Sequence, residues 1–136
     1  MSERQPKILI IDDLPMVRSG LKYILKSLGY DRVEEASDGY DALGLLKAEA
    51  KADRFDVIFC DYVMPYMDGM AFLKRIKCEK LLVGTPVIMI TAERDKSSGL
   101  LAIREGAKDY VMKPLVPKNI DEKMSSLFNG KVIKAA

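Results

Sequence analysis

The chain has 136 residues, 49% apolar and 31% charged, which suits one globular domain able to bury a core of its own. A net charge of +2 with acids and bases interspersed argues against nucleic acid or an anionic membrane surface as a partner. There is no histidine, which excludes histidine general bases, Ser-His-Asp triads, zinc sites and a phosphohistidine within this chain.

The first seven residues are polar and run straight into an apolar stretch, unlike a signal peptide, and no apolar run approaches membrane-spanning length. Cys60 and Cys78 have neither disulfide-framework nor metal-ligand spacing. Cys60 sits within an apolar run and reads as a buried apolar residue. A reducing, cytoplasmic setting is the expectation.

In chain order, Lys7-Ile8-Leu9-Ile10-Ile11 is a continuous apolar run, the mark of a strand covered on both faces. It ends on Asp12-Asp13, and Pro15 suits the first turn of a helix. Val17, Leu21, Ile24, Leu25 and Leu28 fall at helical spacing, and Gly29 stops the helix. Arg32-Val33-Glu34-Glu35-Ala36 is partly polar, as an edge strand would be. After a Ser37-Asp38-Gly39 turn, a second helix carries Ala42, Leu43, Leu45, Leu46 and Ala50, and residues 51–54 form a polar connection.

Val57-Ile58-Phe59-Cys60 is too short for a helix, rich in strand formers, and stops on Asp61. A third helix follows from Asp68 with Met70, Leu73, Ile76 and Lys77. Val87-Ile88-Met89-Ile90 is the next strand, ending on Thr91, and residues 95–105 read as a fourth helix with Leu100, Leu101 and Ile103 apolar. Asp109-Tyr110-Val111-Met112 makes a last strand ending on Lys113-Pro114. A final helix from Pro117 carries Ile120, Met124, Leu127 and Phe128 and closes at Asn129-Gly130. Residues 131–136 form a tail with no clear structure, so the domain is expected over 1–130.

Strands alternating with helices predict an α/β fold, a doubly wound five-stranded parallel sheet with right-handed crossovers and five helices. The second and fifth strands are the most polar. Placed at the edges, they give the flavodoxin-like order 2-1-3-4-5.

In such a sheet ligands bind at the carboxyl ends of the strands, beside the switch in strand order. That edge would carry Asp12 and Asp13 after the first strand, Asp61 after the third, Thr91 after the fourth and Lys113 after the fifth. Three converging carboxylates repel one another and call for a cation. An oxygen-only donor set fits Mg²⁺, whose charge offsets what Lys113 leaves uncompensated. A carboxylate beside a divalent metal, a hydroxyl and an ammonium is arranged to receive a phosphoryl group, and Asp61 would be the attacked residue. Singly, each residue has a plainer reading: Asp12, Asp13 or Thr91 could cap a helix, Asp68 is mainly a cap, and Lys113 could be a solvated charge. Convergence at one sheet edge is what favours the phosphoryl site.

With these residues in place, the sequence resembles a bacterial two-component response-regulator receiver domain. Ile10-Ile11-Asp12-Asp13, residues 60–69 from Cys60-Asp61 to Asp68-Gly69, Ile90-Thr91-Ala92 and Lys113-Pro114 carry the likeness over about residues 5–130. The resemblance implies Asp61 as phosphoacceptor and Mg²⁺ held by Asp13 and Asp61, with Asp12 acting through water and the Val63 backbone carbonyl completing the protein ligands. It implies Thr91 and Lys113 on the phosphoryl oxygens, Tyr110 as an aromatic switch coupled to Thr91, and a cis Lys113–Pro114 bond, which proline tolerates. The phosphoryl donor would be a separate sensor histidine kinase.

Among receivers, the sequence is most similar to the single-domain chemotaxis regulator that binds the flagellar motor switch. Residues 33–39, Asp41-Ala42-Leu43, residues 110–114, Glu122-Lys123-Met124 and Leu127-Phe128 extend the likeness beyond the site. It departs at Tyr62, where that protein usually has Trp, at Val63, where it has Asn, and in a longer connection over 48–54. Val63 and Glu93 occupy the positions that tune dephosphorylation, so Val63 is expected to alter that rate and weaken recognition by a motor-type phosphatase. Phosphorylation would change partner affinity through the surface of helix four, strand five and helix five. Arg94, Lys96, Arg104 and Lys108 lie on or near that surface, as partner contacts or as a solvated face.

A receiver cut from a longer regulator is an alternative. So is a Mg²⁺-dependent phosphohydrolase of the haloacid dehalogenase type, but it would need a second Asp where Val63 stands. A flavodoxin-type binding module would want a phosphate loop where Asp12-Asp13 repels phosphate.

Overall fold

A computed structural model describes residues 3–49, 53–81, 84–92, 95–128 and 133–134. Among these, strands β1 (Glu3–Arg4), β2 (Lys7–Ile11), β3 (Arg32–Ala36), β4 (Val57–Asp61), β5 (Val87–Thr91), β6 (Asp109–Met112) and β7 (Ile133–Lys134) alternate with five helices. The helices are α1 (Pro15–Ser27), α2 (Gly39–Ala48), α3 (Gly69–Cys78), α4 (Lys96–Arg104) and α5 (Pro117–Leu127). Five strands form a parallel sheet in the order β3-β2-β4-β5-β6. Counted among themselves, they run 2-1-3-4-5, with the two polar strands at the edges as their composition predicts.

Alternation along the strands divides the core. Leu9, Ile11, Ile58, Cys60, Val87 and Met89 face α2 and α3, where Leu43, Leu46, Phe72, Leu73 and Ile76 cover them. Ile8, Ile10, Val57, Phe59, Ile88, Ile90 and Val111 face Leu21, Ile24 and Leu25 of α1 and Ile120 and Met124 of α5. Both faces being covered explains why these strands read as unbroken apolar runs.

The helix ends follow local chemistry. Pro15 and Pro117 open α1 and α5, and Asp38 and Asp68 cap α2 and α3 by accepting from the Asp41 and Ala71 amides at 2.8 Å each. Gly29, at φ +98°, ends α1, with the Tyr30 amide donating to the Leu25 carbonyl at 2.9 Å.

The expectation of a tail without structure needs correction. Ile133–Lys134 pairs antiparallel with Glu3–Arg4 in a separate two-stranded sheet. Neither dipeptide carries a strand signal of its own; each is extended because the other end of the chain supplies its backbone partners. The closing pair Asn129-Gly130, Ala50 of the second helix's apolar set and residues 51–52 of the polar connection over 51–54 lie outside the described residues.

Candidate functional site

The β2, β4, β5 and β6 strands deliver their last residues to one edge. Register places Ile11 beside Cys60 and Asp61 beside Ile90, so Asp12 and Asp61 emerge from adjacent strands at the point where strand order switches. Asp12, Asp61 and Thr91 are the buried polar or charged residues among those described, and Asp13 is half-buried. One carboxylate oxygen from each of Asp12, Asp13 and Asp61 lies within 4.8 Å of the others.

Lys113 reaches this cluster from the end of β6. Its Nζ donates to Asp61 Oδ2 at 3.3 Å and stands 3.7 Å from Asp12 Oδ2. Its backbone amide donates to the Thr91 carbonyl at 2.7 Å, locking the two strand ends together, and the following bond to Pro114 is cis. Thr91 Oγ1 and Asp12 Oδ2 are buried without a hydrogen-bond partner, an arrangement that costs free energy unless a ligand supplies the contacts.

Burial pushes the Asp61 carboxyl up to about 6, and the Asp12 charge adds to the rise. The Lys113 ammonium and a backbone hydrogen bond from Val63 oppose it. The neighbouring Cys60 thiol is pushed well above its ordinary value, by burial first and then by the Asp61 and Asp12 charges. That agrees with reading Cys60 as an inert core residue.

The donor set fits a hard divalent cation. Three carboxylates offer oxygen alone, the described residues bring no sulfur or nitrogen ligand to the cluster, and Asp12 Oδ2 is an orphaned buried acceptor. Asp12 Oδ1 is already used, accepting from the Leu14 amide at 2.9 Å. The plainer capping reading does not hold for Asp12: the N-cap of α1 is Leu14, and Asp12 only braces the turn that leads into the helix.

Val63 lies at the mouth, 62% exposed. Tyr110 is half-buried against the core under α2 and α3. Glu93 and Arg94 lie outside the described residues, as does the Lys96 side chain. Arg104 is exposed on α4, whereas Lys108 lines a cleft with Arg54, Pro86 and Phe128. Its amide donates to the Val87 carbonyl, at the start of β5 and so at the far end of the sheet from the acids.

Three supports of the site went unread in the sequence. Arg18 donates to the Asp12 backbone carbonyl at 2.6 Å and to Glu35 at 3.1 Å, tying the acidic turn to edge strand β3. Gly69 is required by space: a Cβ there would stand 2.7 Å from the Asp61 carbonyl oxygen. Tyr66, at φ +69°, centres a three-residue turn closed by the Met67 amide on the Pro65 carbonyl at 2.7 Å. That strained geometry occurs in the loop between β4 and α3. The Asp68-Gly69 pair signals the close approach; Arg18 carries no local signal.

Comparison with known proteins agrees with this geometry. The family model of the response regulator receiver domain matches residues 8–125. Chemotaxis protein CheY-3 of Vibrio cholerae serotype O1 is 38% identical over 122 residues, covering 90% of this chain and 91% of that one. A chemotaxis protein CheY homolog of Campylobacter jejuni is 34% identical over 121 residues, 89% of this chain and 91% of its own. A response regulator receiver domain from Clostridium thermocellum superposes with a TM-score of 0.80 at 30% identity, covering 91% and 94% of the two chains.

Proposed function

The chain belongs to the response regulator receiver family, and on that premise we propose that it is a phosphoryl-accepting switch with Asp61 as the acceptor. The observation that carries this reading is the buried Asp61 carboxylate beside Asp12 and Lys113, with the Thr91 hydroxyl unpartnered at the next strand end. An Asp61 oxygen attacks the phosphorus of a phosphohistidine on a sensor histidine kinase. The new O–P bond forms as the N–P bond breaks, and the imidazole nitrogen keeps the electron pair and later takes a proton from solvent. Lys113 moves its hydrogen bond from Asp61 to a phosphoryl oxygen, and Thr91 donates its hydroxyl to another.

Asp12, Asp13, Asp61 and the Val63 carbonyl would hold Mg²⁺. When bound, the ion neutralises charge that develops on the phosphoryl oxygens. The protein acts on itself in this scheme, as a signalling switch working in the cytoplasm rather than an enzyme turning over a free substrate. Capture of Thr91 by the phosphoryl group and rotation of Tyr110 then shift the population of states at the α4, β6 and α5 surface.

Chemotaxis is the favoured output, supported by similarity to the Vibrio and Campylobacter proteins over about nine-tenths of their lengths. The partners would be a flagellar motor switch protein and, with recognition altered at Val63, a phosphatase. Glu93 would share the tuning of the dephosphorylation rate. Incubation with a small phosphodonor and Mg²⁺, followed by intact mass, is expected to show one added phosphoryl group, absent in Asp61→Asn. No uptake by the wild type, where another receiver is labelled, would sink the reading. Binding of a flagellar switch peptide that strengthens with beryllofluoride supports motor control, and indifference to it removes that output.

A further inference from the structure

Helix α4 meets the sheet through its smallest residues. Gly99 and Ala102 are buried, while Leu100, Leu101 and Ile103 are exposed. Glycine inside a helix weakens it relative to alanine, so Gly99 must answer some other demand. Its φ lies outside the left-handed region, which rules out backbone freedom. Space remains. A Cβ at 99 would stand 2.8 Å from Cγ of Tyr110, 2.9 Å from Cδ2 and 3.3 Å from Cβ. Gly20 of α1 and Gly44 of α2, by contrast, would meet nothing within 4 Å. The two closest atoms belong to the ring, which swings as a unit about χ1, and Cβ, fixed by strand β6, is tight as well. Bending a flexible tip cannot relieve them, so either the ring turns away or the helix shifts.

We propose that Gly99 is the seat of the Tyr110 ring, and that occupancy of this seat couples the ring's rotamer to the position of α4. The three outward apolar residues of α4 move with the helix, so the seat links an aromatic between helix and sheet to an exposed face. Its use in signalling rests on the phosphoryl-switch reading; the steric seat itself does not.

Chemical denaturation of the wild type, Gly99→Ala, Tyr110→Ala and the double variant closes a mutant cycle. Without the ring, alanine at 99 raises the folding equilibrium constant about fivefold, its helix-propensity advantage over glycine. With the ring present, that gain is lost or reversed. An equal gain in both backgrounds overturns the proposal. A Gly99→Ala chain that folds only together with Tyr110→Ala gives the expected answer in stronger form, and a double variant that cannot fold where Tyr110→Ala can overturns it.

Labelling with 3-fluorotyrosine supplies a readout that a merely structural glycine would not move. The ¹⁹F resonance missing from Tyr110→Phe belongs to residue 110. It is expected to shift in Gly99→Ala before any ligand is added and to lose its response to beryllofluoride and Mg²⁺. An unmoved resonance in Gly99→Ala overturns the seat. A wild-type resonance indifferent to beryllofluoride, beside a cycle that shows coupling, counts against the switch reading and leaves the seat standing.

Discussion

Asp61 is surrounded by forces that disagree. Burial and the Asp12 charge favour its neutral form, while Lys113 and the Val63 amide favour the carboxylate. The balance lies at about 6, above the ordinary aspartate value near 4. The folded state therefore binds this proton more tightly than the unfolded chain. The stability so gained is complete below about pH 4 and is lost as pH rises through about 6. Asp61→Asn removes the titration. The metal-free variant is expected to exceed the wild type in stability at pH 7 by on the order of 1–3 kcal/mol. The gap should close toward about pH 4, as denaturant titrations in chelator would show; a gap constant across that range refutes the assignment. Asp61 is thus a destabilised carboxylate, surrounded by residues that each have their own place in the fold.

At the scale of elements, the helix ends show how one backbone device is filled by different residues. Helices α1 and α4 finish on Gly29 and Gly106, at φ +98° and +120°. Helix α3 finishes in the same way on Lys80 at φ +53°, with the Leu81 amide on the Ile76 carbonyl at 3.0 Å. A side chain in that conformation is strained where glycine is not. Lys80→Gly is expected to stabilise the protein by about 0.5–1 kcal/mol, read as a raised urea midpoint with unchanged slope; a lowered midpoint would show that Lys80 makes a compensating interaction.

Helix α4 carries a second lesson at this scale. Leu100, Leu101 and Ile103 are the apolar residues its pattern offers, yet they are exposed, and the contact with the sheet is made through Gly99 and Ala102. Periodicity weighs side chains by size and apolarity, so a face built of small residues is invisible to it.

For the whole molecule, a divalent ion held by the acidic cluster would make folding and metal binding one equilibrium. Asp12, Asp13 and Asp61 meet only when β2 and β4 are paired, so a divalent ion binds the folded chain in preference to the unfolded one. Mg²⁺ at a hundred times its dissociation constant is expected to add about 2.7 kcal/mol to the unfolding free energy. The increment should vanish with chelator and fall in Asp13→Ala. A melting temperature indifferent to Mg²⁺ in the wild type would remove the metal from the site.

Sequence alone determined the class of fold, the order of the strands and the strand ends at which Asp12, Asp13, Asp61, Thr91 and Lys113 stand. The physical reason is that strands buried on both faces must be apolar throughout, edge strands need not be, and acids at strand ends stand out against such runs. Tertiary structure decided what depends on distance between separated segments. It placed Lys113 on Asp61, left the Thr91 hydroxyl unpartnered, clamped the acidic turn with Arg18 and paired β1 with β7. It also set the Tyr110 ring against Gly99. Local pattern carries the burial of a residue because burial repeats along an element. It cannot carry a contact between elements, which exists only once both are packed.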